Sequence, residues 1–283
     1  MTPLDRAWSP SQFARAPEAT LADQQRRGRA LCQGRAPLSR APLSRASAQV
    51  EDAGFDLFVP EGDGPWPVVA FIHGGYWQYL DRSALHFMAS PLLDHGIAFA
   101  SLGYGLAPTS TLAAMEDHCL ASLEVLSREA PGLGLGALAL GGHSAGAQLA
   151  CRVAMRAVRT PVGRLAIEEL HLVSGVFDLR PLVPTYVNDV LGLDEDAARA
   201  ASPLFSPLGG LPPVFLSVAE EDPPGFHAQA EAFGRALEAH GVAVSLGRRP
   251  DCDHFTILDH PSLFSWRRSR FAIPRSTRQI AHD

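Results

Sequence analysis

A serine lies between two glycines where the sequence pattern changes from strand to helix. The segment GHSAG, residues 142–146, follows the apolar run ALALG and precedes the helical pattern AQLACRVAMRAV. A sharp strand-to-helix turn of this kind has room only for small flanking residues, and it projects the serine hydroxyl into a cleft. Ser144 is therefore the predicted nucleophile of an acyl-transfer reaction.

Two further groups are needed to activate a serine: a base that removes its proton and a carboxylate that orients the base. Where a serine occupies such a turn, the chain order is serine, acid, histidine. The segment PVFLSVAEEDPPGF presents Glu220, Glu221 and Asp222 directly after a predicted strand. We predict Asp222 as the acid because a Pro-Pro turn follows it, with Glu221 as the alternative. His254, in the polar segment DCDHF after the last predicted strand, is the predicted base.

Adjacent glycines at a second strand end indicate donors for the oxyanion of this reaction. The segment HGGYW, residues 73–77, directly follows the apolar run PVVAFI. The corresponding loop of serine hydrolases supplies a backbone N–H that complements the one after the nucleophile. The predicted donors are the amides of Gly75, Tyr76 and Ala145, each worth about 3 kcal/mol in the transition state. His73 is predicted to hold this loop through hydrogen bonds.

Aromatic residues around these glycines predict the substrate side of the site. Trp77 and Tyr104, together with Tyr76, are predicted to line an aromatic pocket, and burial of these rings in the core is the alternative. Tyr76 and Trp77 add bulk beside the acyl position, which predicts acceptance of formyl or acetyl groups and rejection of long acyl chains. Stacking on an aromatic leaving group would add about 1 kcal/mol.

The common motifs of metal and nucleotide sites are missing from the sequence. It contains no H-E-x-x-H, no G-x-G-x-x-G and no G-x-x-x-x-G-K-[ST]. We therefore expect neither a metal ion nor a cofactor.

Positioning these motifs requires a sheet that brings several strand ends together. Short apolar runs alternate with longer amphipathic segments along most of the chain, which predicts an α/β fold with a mostly parallel central sheet and helices on both faces. In such a sheet the functional residues lie on loops beyond the carboxyl ends of the strands. The predicted strands are 55–59, 67–72, 97–102, 137–141, 170–173, 214–218 and 242–246, and the predicted helices are 83–95, 112–129, 145–158 and 226–240.

The length of 283 residues suits one domain of this class. Residues 1–48, which contain the tandem repeat APLSR, are predicted to be an N-terminal arm or cap, and residues 49–283 the α/β domain. The Pro-rich stretch at about 178–213 is predicted to form part of a pocket wall, with an ordinary surface excursion as the alternative. Residues beyond 260 are predicted to form a final helix and a frayed end.

Charge and hydrophobicity exclude several classes of partner. Lys and Arg total 24 against 30 Asp and Glu, which gives a net charge of −6. Binding to the phosphate backbone of nucleic acids requires positive charge, so a negatively charged protein is not expected to have a nucleic-acid partner. No run of about 18 apolar residues is present, and the N-terminus has no apolar signal-peptide core, so we expect no membrane partner.

Cysteine usage predicts the compartment. The four cysteines, Cys32, Cys119, Cys151 and Cys252, have neither C-x-x-C spacing nor paired Cys/His spacing, so we expect free thiols. A cytoplasmic location follows. An organellar transit peptide is the alternative, because the start of the chain is rich in Arg and free of Lys.

Four motifs in this order resemble one known family. With HGGYW, GHSAGAQLA, SGVFDLRPL and DHF, the chain resembles the kynurenine formamidase (arylformamidase) family of the α/β-hydrolase superfamily, from LDRAWSPSQF to about Asp259. The resemblance implies the α/β-hydrolase fold, and by carry-over Ser144, Asp222 and His254 match the family's triad and the Gly75 region its oxyanion loop. The segment AEEDPPGFHAQ around the acid departs from the family pattern, which weakens the implied substrate more than the implied chemistry.

Together these observations predict a metal-free serine hydrolase acting on a small acyl or formyl amide or ester. The first-choice substrate is an N-formylated aromatic amine such as N-formylkynurenine. The alternatives are a broad-specificity short-chain carboxylesterase and, from another class, a catalytically silent hydrolase fold used as a ligand receptor. The expected partner is a small-molecule substrate, and a homodimer is left open.

Overall fold

The computed structural model describes residues 1–41, 50, 52–160, 165–260 and 263. An eight-stranded sheet lies at the centre of these residues, in the order β1-β2-β4-β3-β5-β6-β7-β8. The strands are β1 (Leu38–Arg40), β2 (Gly54–Phe58), β3 (Trp66–Ile72), β4 (Ala98–Gly103), β5 (Leu135–His143), β6 (Ile167–Val173), β7 (Val214–Ala219) and β8 (Val244–Arg249).

The sheet is antiparallel at one edge and parallel elsewhere. β1 pairs with β2, and β2 with β4, in antiparallel register. All pairings from β4 through β3, β5, β6 and β7 to β8 are parallel. The prediction of a mostly parallel sheet is therefore confirmed.

Helices connect the strands. The α-helices are α1 (Pro3–Ala7), α2 (Pro17–Gly34), α3 (Ala89–Leu93), α4 (Leu112–Glu129), α5 (Ala145–Arg159), α6 (Asn188–Leu191), α7 (Glu195–Ala201) and α8 (Pro224–Ala239). Short 3₁₀ helices cover Pro10–Gln12, Arg82–Met88, Ala130–Leu133, Arg180–Leu182, Pro203–Phe205 and Thr256–Asp259. No helix in the described part of the chain is both long and apolar enough to cross a membrane.

One predicted helix, 83–95, is divided into two elements. A 3₁₀ helix covers Arg82–Met88, and α3 follows it. Pro91 lies within α3 and has no N–H to donate to the carbonyl of residue 87, which a continuous α-helix would require. The proline does not disturb the spacing of the apolar residues. The sequence pattern therefore predicts one helix, whereas the backbone forms a 3₁₀ helix followed by α3.

The sheet also begins earlier than predicted. β1 lies within the segment expected to be an arm, and its Arg40 pairs with Phe55 of β2. A three-residue edge strand with one apolar side chain, that of Leu38, is too short to show apolar alternation, so only its pairing partner defines it. Most of the second APLSR copy lies outside the described residues, and so does the segment beyond residue 260, predicted to be a final helix and a frayed end, except for residue 263.

The core has two parts, one on each face of the sheet. Along β3, Val68, Ala70 and Ile72 join one apolar cluster, and Val69 and Phe71 join the other. This alternation follows from the two-residue period of a strand. Helices α4, α5 and α8 pack in the first cluster, and the 3₁₀ helix at Arg82–Met88 packs with α3 in the second. Both faces are thus covered, as expected for strands that are apolar throughout.

Candidate active site

Five neighbouring parallel strands bring the predicted site residues to one edge of the sheet. HGGYW follows β3, GHSAG spans the end of β5, and Asp222 and His254 follow β7 and β8. Because β3, β5, β6, β7 and β8 are adjacent and parallel, their carboxyl ends meet at the same edge.

Ser144 occupies a strained turn between β5 and α5. Its φ is +55° and its ψ −121°, a backbone conformation that residues with side chains rarely adopt. The Ser144 N–H donates to the Val173 carbonyl at 2.8 Å, and the Ser144 carbonyl accepts from the Ala147 N–H at 3.0 Å. The turn is thereby held from both sides and presents the hydroxyl at the sheet edge.

The two glycines of GHSAG are required by the close approach of backbone segments. A Cβ at residue 142 would lie 2.1 Å from the Gly146 carbonyl oxygen. A Cβ at residue 146 would lie 2.2 Å from the Ile72 carbonyl oxygen. Any larger residue would push α5 away from β3 and β5, so the spacing of the glycines follows from packing.

Asp222 and His254 form a buried hydrogen-bonded pair. His254 Nδ1 lies 2.6 Å from Asp222 Oδ1. The other carboxylate oxygen, Oδ2, accepts from Ser174 Oγ at 2.6 Å and from the Ala219 N–H at 2.8 Å. Both oxygens are therefore occupied, and the carboxylate has one fixed orientation.

The surroundings of Asp222 favour its ionised form. Burial by itself would raise the pKa of this carboxyl group, but the charge of His254 and the hydrogen bonds from His254, Ser174 and Ala219 together hold the pKa below its usual value. The carboxylate is thus ionised at neutral pH and keeps a proton on Nδ1 of His254. Nε2 of that ring is left as the basic nitrogen.

His143 supports the loop that carries His254. His143 Nε2 lies 2.8 Å from the His254 carbonyl oxygen, and the two rings are 4.6 Å apart. Burial, followed by the charge of His254, lowers the pKa of His143 to about 3. His143 is therefore neutral and donates Nε2–H to this carbonyl.

Asp253 fixes the turn at His254 from its other side. Its Oδ1 accepts hydrogen bonds from the N–H groups of Phe255 and Thr256 at 2.9 and 3.0 Å.

The sequence did not identify Ser174 or His143 as part of the site. The available signals were positional. Ser174 begins SGVFDL directly after β6, and His143 directly precedes the predicted nucleophile in GHSAG.

Glu221, the alternative acid, does not face His254. It forms an ion pair with Arg15 at the surface, and 28% of its side chain is exposed. Asp222 is the carboxylate that the structure brings to the histidine.

The HGGYW loop is a tight turn against the predicted nucleophile. Gly75 has a φ of +99°, and its carbonyl accepts the N–H groups of Gln78 and Tyr79 at 2.9 and 3.0 Å. A Cβ at Gly74 would lie 3.0 Å from Ser144 Cβ, closer than ordinary van der Waals contact, so glycine favours this close approach of the loop.

The predicted oxyanion donors lie on this loop and at the start of α5. Within the described part of the chain, the N–H groups of Gly75 and Tyr76 have no acceptor. Ala145, the first residue of α5, has no acceptor within its helix either. These three amides are therefore available to a ligand.

Trp77 and Tyr104 do not line the cavity, and the prediction for these two residues is wrong. Both side chains are fully buried in the core. Trp77 Nε1 donates to Gln148 Oε1 at 3.1 Å, and the Tyr104 hydroxyl donates to the His73 carbonyl at 3.1 Å. Each ring carries one polar group that needs a partner when buried, and each finds it inside the fold.

His73 has the structural role predicted for it. Its Nδ1 lies 2.8 Å from the Gly74 carbonyl oxygen, and its ring stacks on Tyr104 with centroids 4.4 Å apart. Tyr104 therefore stabilises the HGGYW loop through its contacts with His73.

A cavity of about 280 Å³ contains Ser144 and His254 in its wall. Its other walls are largely apolar and aromatic. They include Leu21, Tyr76, Tyr79, Leu80, Leu85, Tyr186, Phe255 and Leu258. Tyr186 comes from the Pro-rich stretch after β6, which therefore contributes to the pocket wall. Among the described residues, no group of three or more His, Cys, Asp or Glu side chains is placed to hold a metal ion.

The N-terminal segment closes one side of this cavity. Pro10, Ser11, Leu21 and Gln24 belong to its lining. Gln24 Nε2 donates to the Phe255 carbonyl and to Asp259 Oδ2 at 3.1 and 3.0 Å, which attaches α2 to the segment following His254. Sequence reasoning described this segment only as an arm or cap.

Known proteins resemble the chain over most of its length. A family model for the α/β-hydrolase fold matches residues 69–258. The kynurenine formamidase of Danio rerio is 32% identical over 262 residues, which cover 89% of this chain and 86% of that protein. The ethyl acetate hydrolase of Pseudomonas putida is 29% identical over 226 residues, covering 70% and 69% of the two chains.

A solved structure agrees at the level of the fold. The esterase of Pyrobaculum calidifontis covers 86% of both chains with a TM-score of 0.69 at 19% sequence identity. The predicted resemblance is thus confirmed by a relative that aligns over nearly the whole chain and by a fold match. This chain is a hydrolase that belongs to the kynurenine formamidase family of the α/β-hydrolase superfamily.

Proposed function

We propose that this enzyme hydrolyses small formyl or acyl amides and esters, with an arylformamide of the N-formylkynurenine type as its first-choice substrate. The observation that carries the proposal is the joint placement of Ser144 and His254 in one apolar cavity, with His254 held by Asp222 at 2.6 Å. The formamidase relative from Danio rerio supports the formyl group as the acyl part.

The proposed reaction has two halves. In the first, His254 Nε2 takes the Ser144 proton while the serine oxygen attacks the formyl carbon, and the amides of Gly75, Tyr76 and Ala145 stabilise the oxyanion. The protonated His254 then donates its proton to the departing aniline nitrogen, which leaves a formyl-enzyme. In the second half, His254 activates a water molecule that attacks the formyl carbon and releases formate and free Ser144.

The cavity walls support an aromatic leaving group. Tyr76, Tyr79, Tyr186 and Phe255 surround the space next to Ser144 and His254. Contacts of an aryl ring with such side chains contribute about 1 kcal/mol beyond the burial of apolar area. Tyr76 now carries the size restriction that the sequence assigned jointly to Tyr76 and Trp77, because Trp77 faces the core.

A short-chain carboxylesterase is the second candidate. The same serine, histidine and oxyanion donors cleave esters by the same steps, and the relative from Pseudomonas putida is named for an ester substrate. The catalytically silent receptor that the sequence left as an alternative does not fit, because the chain belongs to a family of hydrolases.

A substrate panel distinguishes these candidates. We expect the highest kcat/KM for N-formylkynurenine or formanilide, measurable turnover of p-nitrophenyl acetate, and a steep fall from acetate through butyrate to octanoate. Ester turnover without arylformamide turnover would establish the carboxylesterase instead. Absence of turnover for every member of the panel would contradict the proposed substrate class.

Replacing the predicted nucleophile tests the mechanism. Ser144→Ala is expected to lower kcat by about 10⁶ for amides and esters alike, because removal of a triad nucleophile eliminates the covalent route. Ser110→Ala, at a serine outside the cavity lining, is the control and should keep full activity. More than a few per cent of residual activity in folded Ser144→Ala would contradict the proposed role.

We also propose that the enzyme acts in the cytoplasm on a small-molecule substrate, without nucleic-acid or membrane partners. The four free cysteines and the net charge of −6 support this proposal. Imaging of the tagged full chain in its native host, together with fractionation, tests the location.

A further inference from the structure

A second cluster of reactive side chains lies away from the hydrolase site. It joins Cys32 near the end of α2, His86 in the 3₁₀ helix before α3, and Asp56 in β2. Cys32 Sγ lies 3.3 Å from His86 Nδ1, and His86 Nε2 lies 2.9 Å from Asp56 Oδ2. The three residues come from distant parts of the chain, so the fold alone brings them together.

The hydrogen bonds set the roles of the two imidazole nitrogens. Burial by itself would raise the pKa of Asp56, but hydrogen bonds from His86 and Ser39 and the charge of Arg82 hold it below its usual value. The ionised Asp56 therefore accepts a hydrogen bond from the Nε2–H group of His86. Nδ1 is left with a free electron pair that faces the Cys32 thiol, which is the arrangement by which a histidine accepts a thiol proton.

A cavity gives ligands access to this thiol. It has a volume of about 490 Å³ and is lined by Gln25, Arg29, Cys32, Gln33, Ser83 and His86. It shares no lining residue with the hydrolase cavity. Arg29 is exposed and forms no ion pair with any residue that the structure describes, so its charge is available to a ligand.

The other three thiols lack this environment. Cys119, Cys151 and Cys252 are buried, and burial raises the pKa of Cys252 to about 11 and that of Cys151 to about 12. Partial burial and the charge of Asp56 also raise the pKa of Cys32, so this thiol is protonated at neutral pH. Its reactivity therefore depends on a neighbouring base, and among the cysteines it alone contacts an imidazole in the described hydrogen-bond network.

We propose that Cys32 is a modification site for small anionic disulfides, with His86 as the base and Arg29 as the contact for the negative charge. His86 Nδ1 takes the thiol proton, and the thiolate attacks one sulfur of the disulfide. The S–S bond of the reagent breaks as the bond to Cys32 Sγ forms. The departing thiolate takes the proton back from His86, so the products are a mixed disulfide at Cys32 and one free small thiol.

The reaction with glutathione disulfide, followed by intact mass and peptide mapping, tests this proposal on the full-length enzyme. We expect one adduct, located at Cys32, and no adduct in Cys32→Ser. We also expect glutathione disulfide to react faster than the dicationic disulfide cystamine at low salt, with the difference shrinking as salt is added. A first adduct at another cysteine, or faster reaction with cystamine, would overturn the proposal.

Two matched pairs of variants test the assigned roles. His86→Asn should slow the adduct formation by about 100-fold, the usual contribution of a general base, whereas His95→Asn, at an exposed histidine, should not change it. Arg29→Gln should slow the reaction with glutathione disulfide several-fold without slowing the reaction with cystamine. Arg26→Gln, on the same helix, should leave both rates unchanged.

The surface substitution keeps the test decisive if His86→Asn does not fold. Because Arg29 is exposed, Arg29→Gln is expected to leave the melting temperature unchanged. Equal rates of reaction with glutathione disulfide in Arg29→Gln and wild type would contradict the assigned ligand class. A folded His86→Asn that reacts at the wild-type rate would contradict the role of His86. Hydrolase activity of Cys32→Ser, expected at the wild-type level, reports that the fold is intact.

Discussion

Both oxygens of the Asp222 carboxylate have hydrogen-bond partners, and each partner has its own consequence for activity. His254 Nδ1 binds Oδ1, while Ser174 Oγ and the Ala219 N–H bind Oδ2. A carboxylate with two occupied oxygens cannot rotate, so the imidazole plane that it orients is fixed as well. At the residue scale, the geometry of the site depends on this one side chain.

Asp222→Asn is expected to lower kcat by about 10⁴ with little change in stability. The amide would favour the wrong tautomer of His254 and would not stabilise its protonated form. Glu221→Gln is the matched control, because the Glu221 carboxylate pairs with Arg15 at the surface. This substitution should change kcat very little. Steady-state kinetics on formanilide measures both, and the reverse ranking would assign the acid to Glu221.

Ser174→Ala is expected to lower kcat about tenfold with KM unchanged. Hydrogen bonds to charged groups contribute about 1.5–3 kcal/mol, and Ser174 donates one to Asp222 without lining the substrate cavity. Loss of this donor raises the proton affinity of the Asp222–His254 pair. The acidic limb of the kcat/KM profile should therefore move to higher pH, which a purely structural defect would not cause. Ser122→Ala, at a buried serine in α4, should show neither effect.

At the element scale, α2 both packs within the fold and lines the cavity that contains Ser144 and His254. Its Gly28 packs against the 3₁₀ helix before α3, where a Cβ would lie 3.1 Å from His86 Cβ. Leu21 and Gln24 face the hydrolase cavity, and Arg27 forms an ion pair with Asp259 at 2.7 Å. The position of the cavity wall therefore depends on how firmly this helix is attached.

Gln24→Ala is expected to raise KM for aryl substrates several-fold and to destabilise the fold by about 1–3 kcal/mol. The substitution removes two hydrogen bonds and leaves the partly buried Phe255 carbonyl and an Asp259 carboxylate oxygen without that donor. Its neighbour Gln25 is exposed, so Gln25→Ala should change neither quantity. Urea unfolding and initial-rate kinetics on the pair measure both effects, and equal KM values would show that α2 does not shape the cavity.

At the scale of the whole molecule, buried histidines couple stability to pH. The pKa of His143 is lowered to about 3, and burial also lowers the pKa values of His118 and His171. In the unfolded chain these groups bind protons below about pH 6.5, whereas in the folded chain they resist protonation. Their contribution to stability is therefore complete above pH 6.5 and is lost as the pH falls below it.

The free energy of unfolding is expected to fall between pH 6.5 and pH 4.5, with His143 contributing up to about 1.4 kcal/mol per pH unit. His143→Gln keeps an N–H donor for the His254 carbonyl but cannot titrate, so its stability should decline less steeply. His95→Asn, at an exposed histidine, should keep the wild-type slope. Urea unfolding at pH 7.5, 6.5, 5.5 and 4.5 measures the slopes, and identical slopes for His143→Gln and wild type would contradict the assignment.

The sequence by itself determined the features that depend on local spacing. The seven longer strands and the bounds of α4 followed from apolar periodicity, because burial on a sheet or helix face imposes that period. The strand-to-helix turn at Ser144 followed from its flanking glycines, since only small residues fit where α5 meets β3 and β5. The chain order of Ser144, Asp222 and His254 followed from the same fold class.

Only the tertiary structure decided the features that depend on contacts between distant segments. Trp77 and Tyr104 turn into the core because their polar groups find partners at Gln148 and His73, which spacing along the chain does not reveal. The strand β1 is likewise defined by its pairing with β2, and the position of α2 by its contacts at the cavity wall. Side-chain direction in a loop and the pairing of an edge strand are set by long-range packing, so no local pattern in the sequence encodes them.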